Sequence, residues 1–265
     1  MQVVPHAWPF TFPPPSQSWQ LQYGFTVPPL PNTTTWDYRR QVFYIWGDVS
    51  FDEYGLEGGS NQISTYLYNQ IVPQLILGWG GTHDPSGGFE YIGQPQSPTW
   101  ILQADYYWQD KEGTSYQLAG KNINVMPGER LNETISYNAS TGSITATIGV
   151  SGAGPSRTST IYSTRPFPDS SPPLFSSWRD FFTRAAAKSG TSGPMGSPVF
   201  NVETHNVNSA TMCSVLPMAI GSMRLPGVSW STGKYYVAQN GDFKCHGSAQ
   251  ALAKASFGAF DTWAG

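Results

Sequence analysis

The stretch ERLNETISYNASTGSITATIGVSG, residues 129–152, decides the class of fold. Polar and apolar residues alternate along both of its halves, which is typical of antiparallel strands with one face on a core and one in water. This is the patterning of a β-sandwich or a β-barrel, so we predict an all-β fold. Further strand segments recur along the chain: RQVFYIWGDVSF (40–51), NQISTYLYNQIVPQLILGW (61–79), PTWILQADYYWQ (98–109), RTSTIYSTRPF (157–167), SPVFNVETHNVNSA (197–210) and GKYYVAQNGDFKC (233–245).

Two segments interrupt the strand pattern and favour helix. In SSWRDFFTRAAAKSG (176–190), Ser177 and Asp180 resemble a capping box and three consecutive alanines follow, which predicts a helix at about 178–188. The segment SAQALAKASFGAF (248–260) predicts a second, short helix. The strand segments should therefore be joined by turns, with helix confined to these two places.

The first 31 residues form a proline-rich arm that contains FTFPPPSQ (10–17) and leads into FTVPPLPN (25–32). Because proline has no amide hydrogen to donate, we expect this arm to stay out of the middle of a sheet and to wrap around the outside. No stretch further along the chain has the composition of a domain linker. We therefore expect a single domain over residues 1–265.

The charge of the chain argues against two classes of partner. The formal net charge is −3, and the 14 Lys and Arg residues are scattered, so no basic stripe is present to neutralise a nucleic-acid backbone. No run of eighteen apolar residues occurs, so a membrane partner is not expected either. We expect small apolar molecules as the partners.

Several features favour an oxidising compartment. Asn32, Asn132 and Asn138 each begin an acceptor pattern for N-glycosylation. The two cysteines, Cys213 and Cys245, are an even count that suits one disulfide, and two buried free thiols are the alternative. We expect a secreted glycoprotein with Met1 in place of its signal peptide.

A glutamine in the middle of an apolar strand marks the candidate site. In QIVPQLILGW (70–79), strand alternation places Gln74 on one face with Val72 and Ile76. A buried amide that lacks hydrogen-bond partners costs roughly 1–3 kcal/mol, so a polar group should meet it. A glutamine with ordinary structural partners is the alternative interpretation.

The same alternation along other strands selects further candidates. If these faces line the concave side of a bent sandwich, they form an aromatic groove with a few convergent polar groups. Its predicted members are Tyr44, Trp46 and Asp48 on one strand, Trp100, Tyr106 and Trp108 on a second, and Asn201, Glu203 and His205 on a third. The alternative is an exposed glutamate on an ordinary strand.

Motifs of several common enzyme classes are missing from the sequence. It contains no G-x-S-x-G, H-E-x-x-H, phosphate-binding glycine loop or C-x-x-C. Only four histidines occur, so a multi-histidine metal site is not expected. We predict neither a metal nor an organic cofactor.

The order of strand segments resembles that of glutamic peptidases of the eqolisin type, from YGFTVPPLP (23–31) through VPQLILG (72–78) to FNVETHNV (200–207). The resemblance implies a bent antiparallel β-sandwich, a jelly roll of the concanavalin and eqolisin kind. It also implies that Gln74 and Glu203 match the catalytic pair, with Trp46 and Asp48 near the cleft. The tryptophan-rich segment that follows the glutamate in that family is absent here, so the fold can be kept while the chemistry differs.

The segments FYIWGDVSFDEYG (43–55) and YLYNQIVPQLILG (66–78) are also similar to a group of secreted, glycosylated fungal proteins. Some of these act as hetero-Diels-Alderases in the biosynthesis of tropolone sesquiterpenoids. The resemblance implies that Trp46, Tyr106 and Trp108 stack on small apolar substrates. It also implies that Gln74 and His205 hydrogen-bond substrate oxygens and that Glu203 orients these two side chains. A carbohydrate-binding lectin that uses the same groove is a third alternative.

Overall fold

The computed structural model describes residues 2–4, 10–27, 30, 42–51, 68–77, 81–83, 89–91, 100–109, 115–168, 173–205, 221–224 and 236–237. In these ranges the chain is mostly β-structure, with one α-helix and one short 3-10 helix at Pro155–Arg157. The strands are β1 (Gln2–Val4), β2 (Phe10–Thr11), β3 (Trp19–Thr26), β4 (Val42–Ser50), β5 (Tyr68–Leu77), β6 (Gly81–His83), β7 (Phe89–Tyr91), β8 (Trp100–Gln109), β9 (Ser115–Ala119), β10 (Ile123–Val125), β11 (Arg130–Asn138), β12 (Ser143–Val150), β13 (Thr158–Ser163), β14 (Met195–His205), β15 (Gly221–Arg224) and β16 (Tyr236–Val237). The helix is α1 (Trp178–Ser189).

Two antiparallel sheets make up the sandwich. The first sheet has the order β10-β8-β5-β4-β14-β1-β16, with β9 paired to β8 and β2 paired to β14. The second sheet has the order β13-β12-β11-β3-β15. Strands β6 and β7 form a separate hairpin. The all-β fold that the alternating strands predict is therefore confirmed, and of the two architectures that they allow the chain adopts the sandwich.

The alternation in residues 129–152 fixes which side of the second sheet meets the core. Along β11 and β12 the apolar residues Leu131, Ile135, Ile144 and Ile148 are buried in one hydrophobic cluster. Residues from the first sheet join the same cluster, including Ile45, Leu75 and Leu102. The core thus lies between the two sheets, as in other sandwiches.

Two polar contacts join the sheets across this core. The backbone N–H of Gly47 in β4 donates to Oε2 of Glu133 at 2.9 Å, and the N–H of Ala104 in β8 donates to Oγ of Ser159 at 3.0 Å. Because hydrogen bonds have directional requirements, these two contacts hold the two sheets in one relative position.

Within the first sheet, the ladder between β4 and β5 is interrupted opposite Pro73, because proline has no amide hydrogen to donate.

The helix forms as its capping residues predict. Oγ of Ser177 accepts from the N–H of Asp180 at 3.1 Å, and Gly190 ends the helix in the left-handed region at φ 66°. Its buried face carries Trp178, Phe181 and Phe182, which pack in the core. In the described ranges no helix has the length and hydropathy needed to cross a bilayer. The second predicted helix, 248–260, lies outside the described residues.

The proline-rich arm differs from its prediction. Strand β3 lies inside the second sheet, between β11 and β15, and pairs with β11 from Trp19 to Thr26. The physical reason is that the prolines flank this strand, at 13–15 and at 28, 29 and 31, and leave every amide donor of 19–26 intact. The arm therefore contributes an interior strand instead of wrapping around the outside.

Candidate functional site

The strand register brings Gln74 beside two further side chains. Gln74 in β5 lies directly opposite Trp46 in β4 and directly opposite Gln103 in β8. Directly opposed residues of antiparallel strands share a face, so these three side chains form a row across the sheet. Their neighbours along the strands, such as Leu75 and Leu102, lie in the core. The row therefore occupies the outer face of the first sheet, the face away from the second sheet.

An aspartate completes the environment of the glutamine. Nε2 of Gln74 donates to Oδ2 of Asp105 at 2.5 Å, across the diagonal between β5 and β8. Gln117 on β9 also interacts with this carboxyl by a side-chain hydrogen bond. The carboxyl thus lies between amides from both neighbouring strands. We call Trp46, Gln74, Gln103, Asp105 and Gln117 the Gln74 site.

Burial controls the charge of Asp105. The side chain is 2% exposed, and removal from water raises its pKa to about 8, while the hydrogen bonds from Gln117 and Gln74 lower it only in part. The carboxyl is therefore neutral at neutral and acidic pH.

A β-bulge lies next to this carboxyl. Strand β8 pairs with β9 at Asp105 and Ala119 and with β10 at Leu102 and Ile123, which leaves one extra residue in 120–122. The amide of Gln103 donates to the carbonyl of Gly120 at 3.1 Å. A glycine is required there, because a Cβ would lie 2.5 Å from Oγ of Ser159. Bulges change the direction of nearby side chains, and this one lies opposite the segment of β8 that carries Gln103 and Asp105.

Apolar side chains surround the polar row on the same face. Val72 and Ile101 are buried, and Ile76 lies directly opposite Ile101. Tyr107 and Gln117, toward the β9 side, are only partly buried. The site is therefore a small group of amides and one neutral carboxyl surrounded by apolar side chains. The residues on its β9 side are more exposed to solvent than the others.

The third predicted strand lies at the expected place in the register. Asn201 on β14 is opposite Trp46, Glu203 is opposite Tyr44, and His205 is opposite Val42. The side chains of Tyr44, Asp48, Asn201, Glu203 and His205 lie outside the described residues. The predicted pairing of Gln74 with Glu203 therefore stays a prediction, and the described partner of the amide is Asp105.

The three aromatic residues predicted on β8 do not share the face of Gln74. Trp100, Tyr106 and Trp108 are buried in the core between the sheets, and the ring of Tyr106 stacks on Trp108 at 4.6 Å. The reason is the register, since Gln103 lies opposite Gln74 and the odd-numbered residues of β8 therefore belong to the outer face. This corrects their predicted role as walls of the groove, whereas Trp46 does lie beside Gln74.

Sequence reasoning missed Asp105, Gln103 and Gln117. A signal for the first was available, because Asp105 is the only charged residue in WILQADYYW (100–108) and has the same parity as Gln103. Gln117 carries no comparable signal in the sequence. In the described ranges no three His, Cys, Asp or Glu side chains are grouped so that they could hold a metal ion.

Two of the three predicted glycosylation sites lie within the described residues. Asn132 and Asn138 are exposed on β11, and Oδ1 of Asn138 accepts from Oγ of Ser140 at 2.7 Å. Both side chains are therefore accessible to a modifying enzyme. Asn32, Cys213 and Cys245 lie outside the described residues.

We expect Cys213 and Cys245 to form a disulfide. In the chain-entropy model, a bond that closes a loop of about thirty residues stabilises the fold by roughly 3–4 kcal/mol. Counting free thiols in the denatured, unreduced protein should give none. Two reactive thiols would contradict the disulfide and remove the main support for an oxidising compartment.

Comparisons with known proteins leave the family open. No family model and no curated protein matches the chain. Among solved structures, the enzymatically active domain of tailspike protein 2 from bacteriophage CBA120 is 10% identical with a TM-score of 0.34, and the match covers 72% of this chain and 20% of the tailspike chain. A basic winged bean lectin in complex with Tn-antigen is 13% identical with a TM-score of 0.24, covering 79% of this chain and 72% of the lectin. At these values neither likeness bears on function.

Proposed function

We propose that this protein is a secreted enzyme of secondary metabolism that binds small apolar molecules at the Gln74 site and catalyses an intermolecular hetero-Diels-Alder cycloaddition. The observation that carries the proposal is the Gln74–Asp105 pair, a neutral hydrogen-bonded pair buried among apolar side chains. The resemblance of residues 43–55 and 66–78 to a group of fungal proteins, some of which have this activity, supports the same choice.

The reaction makes modest chemical demands that this site can meet. The π electrons of a heterodiene and an alkene form one C–C bond and one C–O bond, and no atom, proton or electron is gained or lost overall. No nucleophile is needed. The protein has to hold two apolar reactants face to face and to place a hydrogen-bond donor at the reacting oxygen.

The amide of Gln74 is expected to affect catalysis more than folding. Replacing Gln74 by leucine removes its hydrogen bond to Asp105 and keeps much of its volume, so we expect at least a tenfold loss of rate, about 1.4 kcal/mol of barrier. The measurement is formation of a chiral adduct from a quinone-methide precursor and a cyclic sesquiterpene alkene, followed by chiral chromatography.

A matched control for this variant is Gln20→Leu. Gln20 is exposed on β3 of the second sheet, whereas the site lies on the first sheet, so its replacement should leave the rate unchanged. Thermal melting of both variants shows whether folding survives. If Gln74→Leu forms the adduct as fast and as selectively as the parent protein, Gln74 is structural and takes no part in catalysis.

The alternative is a glutamic peptidase that pairs Gln74 with Glu203. A general base must be ionised at the working pH, so a neutral Asp105 cannot serve as the base of an acid protease, and the activity would depend on Glu203. Incubation with casein at roughly pH 2 to 5 separates the two readings, because only a peptidase cleaves it. Cleavage that is lost in Glu203→Gln would reject the cyclase, and a glycan array addresses the lectin alternative.

A further inference from the structure

We propose that a cavity beside α1 binds a small hydroxylated carboxylate, a ligand of the class of the sugar acids. The cavity has a volume of about 430 Å³ and lies between the proline-rich segment, α1 and the loop that follows α1. It is lined by Pro15, Ser16, Arg179, Thr183, Ala186 and Ser192. None of these residues belongs to the Gln74 site, so the inference is independent of the proposed function.

A positioned cation lines this cavity. Arg179 is exposed on the first turn of α1, and its guanidinium interacts with the phenol oxygen of Tyr137 by a side-chain hydrogen bond. The same phenol donates to the carbonyl oxygen of Pro15 at 2.7 Å. Tyr137 is buried in the core, so it holds the guanidinium and the proline-rich segment in place on either side of the cavity.

The charge of this arginine is available to a ligand. The neighbouring carboxylate of Asp180 accepts from two nitrogens of Arg184, at 3.0 and 3.1 Å. Among the residues that the structure describes, Arg179 forms no ion pair. A guanidinium presents a planar set of N–H donors that matches the two oxygens of a carboxylate. Arg179 is therefore suited to bind an oxyanion that enters the cavity.

Hydrogen bonds also order the wall formed by the loop after α1. The N–H of Phe12 donates to the carbonyl of Pro194 at 2.9 Å, which ties this loop to the proline-rich segment. The N–H of Thr191 donates to the carbonyl of Ala186 at 3.1 Å, and the hydroxyl of Thr191 donates to the carbonyl of Gly193 at 2.7 Å. Walls that are already ordered lose little conformational entropy when a ligand binds.

Three hydroxyl groups complete the polar lining. Those of Ser16 and Ser192 are not engaged by any described residue. The hydroxyl of Thr183 donates to the carbonyl of Arg179 at 2.7 Å, which leaves its oxygen as an acceptor. Because a hydroxyl group can both donate and accept, these side chains suit a ligand that itself carries several hydroxyl groups.

The charge of the lining decides among the possible oxyanions. Arg179 is the one charged residue among those that line the cavity, so the site offers a single positive charge. A phosphate ester carries nearly two negative charges at neutral pH, whereas a carboxylate carries one. A carboxylate on a body rich in hydroxyl groups therefore fits the lining best, and a sugar acid has both features.

Saturation-transfer difference NMR of the full chain tests the site with two matched ligands. Methyl β-glucuronoside and methyl β-glucoside share one sugar ring, and a carboxylate in the first replaces a hydroxymethyl group in the second. The glucuronoside should bind at least about tenfold more tightly, because hydrogen bonds between a guanidinium and a carboxylate are charge-assisted. Acetate, which has the carboxylate without the hydroxyl groups, should bind more weakly than the glucuronoside.

Two sets of variants assign the binding to this cavity. Arg179→Gln should weaken glucuronoside binding at least about tenfold. Arg184→Gln removes the same charge from the same helix outside the cavity and should leave the affinity unchanged. Replacing Ser16 and Ser192 together by alanine should weaken glucuronoside binding and leave acetate binding unchanged. Thermal melting shows that each variant is folded.

Three results would overturn the inference. A glucuronoside that binds no more tightly than the glucoside would reject the role of the cation. An equal loss in Arg179→Gln and Arg184→Gln would show a general attraction to a positive surface and no site in the cavity. Acetate that binds as tightly as the glucuronoside would reject a sugar acid as the class of ligand.

Discussion

Replacing Trp178 by alanine is expected to lower the free energy of unfolding by about 3–5 kcal/mol. The side chain is 0% exposed, and its ring packs against Tyr106 at 5.4 Å and Phe181 at 5.6 Å. Its indole N–H donates to Oγ of Ser163 at 3.1 Å, so the variant also leaves a buried hydroxyl with one contact fewer. Urea denaturation followed by circular dichroism measures the change.

Two controls separate this effect from a general sensitivity to aromatic residues. Tyr162→Ala removes an aromatic side chain that is 56% exposed on β13 and should change the free energy of unfolding by less than about 0.5 kcal/mol. Trp178→Phe keeps most of the apolar contact but loses the indole N–H, so its loss should be intermediate. If Trp178→Ala is as stable as Tyr162→Ala, α1 does not contribute to the core as described.

Raising the pH from about 4 to about 8 is expected to remove several kcal/mol of stability through Asp105 alone. The pKa of this carboxyl is about 8 in the folded protein and near 3.8 when it is solvated, so the folded state binds the proton more tightly. The resulting stabilisation is complete below the unfolded pKa, falls as the pH rises through this window, and is absent above the folded pKa. Each unit of difference corresponds to about 1.4 kcal/mol.

The difference between the parent protein and Asp105→Asn isolates this contribution. Other groups titrate in the same range and affect both proteins alike, so the gap between their unfolding free energies reports on Asp105. We expect the parent protein to lose stability relative to the variant between about pH 4 and pH 8. Parallel curves would mean that the carboxyl titrates near its ordinary pKa and is not buried as described.

Local patterns were enough to predict the helix and most of the longer strands. The capping residues Ser177 and Asp180 predicted α1 to within one residue of its end, because an N-cap interaction involves only neighbouring residues. Strand β3 was missed because the prolines on either side of it were taken to exclude the whole arm from a sheet. The segment Trp19–Thr26 itself contains no proline. In both cases the relevant information lay within about ten residues of the chain.

The candidate site depended on a different kind of information. Alternation within one strand predicts which residues share a face, and it correctly grouped Gln74 with Val72 and Ile76. It cannot say which parity of a neighbouring strand belongs to the same face, because a slip of one residue exchanges the two faces of that strand. For this reason Trp100, Tyr106 and Trp108 were assigned to the groove, although they lie in the core.

The sequence by itself determined most of the longer strands, the alternation of residues within each of them, the helix and the all-β class of the fold, because alternation and capping act over short distances. Only the tertiary structure decided that Asp105 meets Gln74 and that its carboxyl stays neutral. The meeting depends on the register between β5 and β8, and the protonation depends on burial by residues distant in sequence. Both are properties of strands packed together, and no single strand contains them.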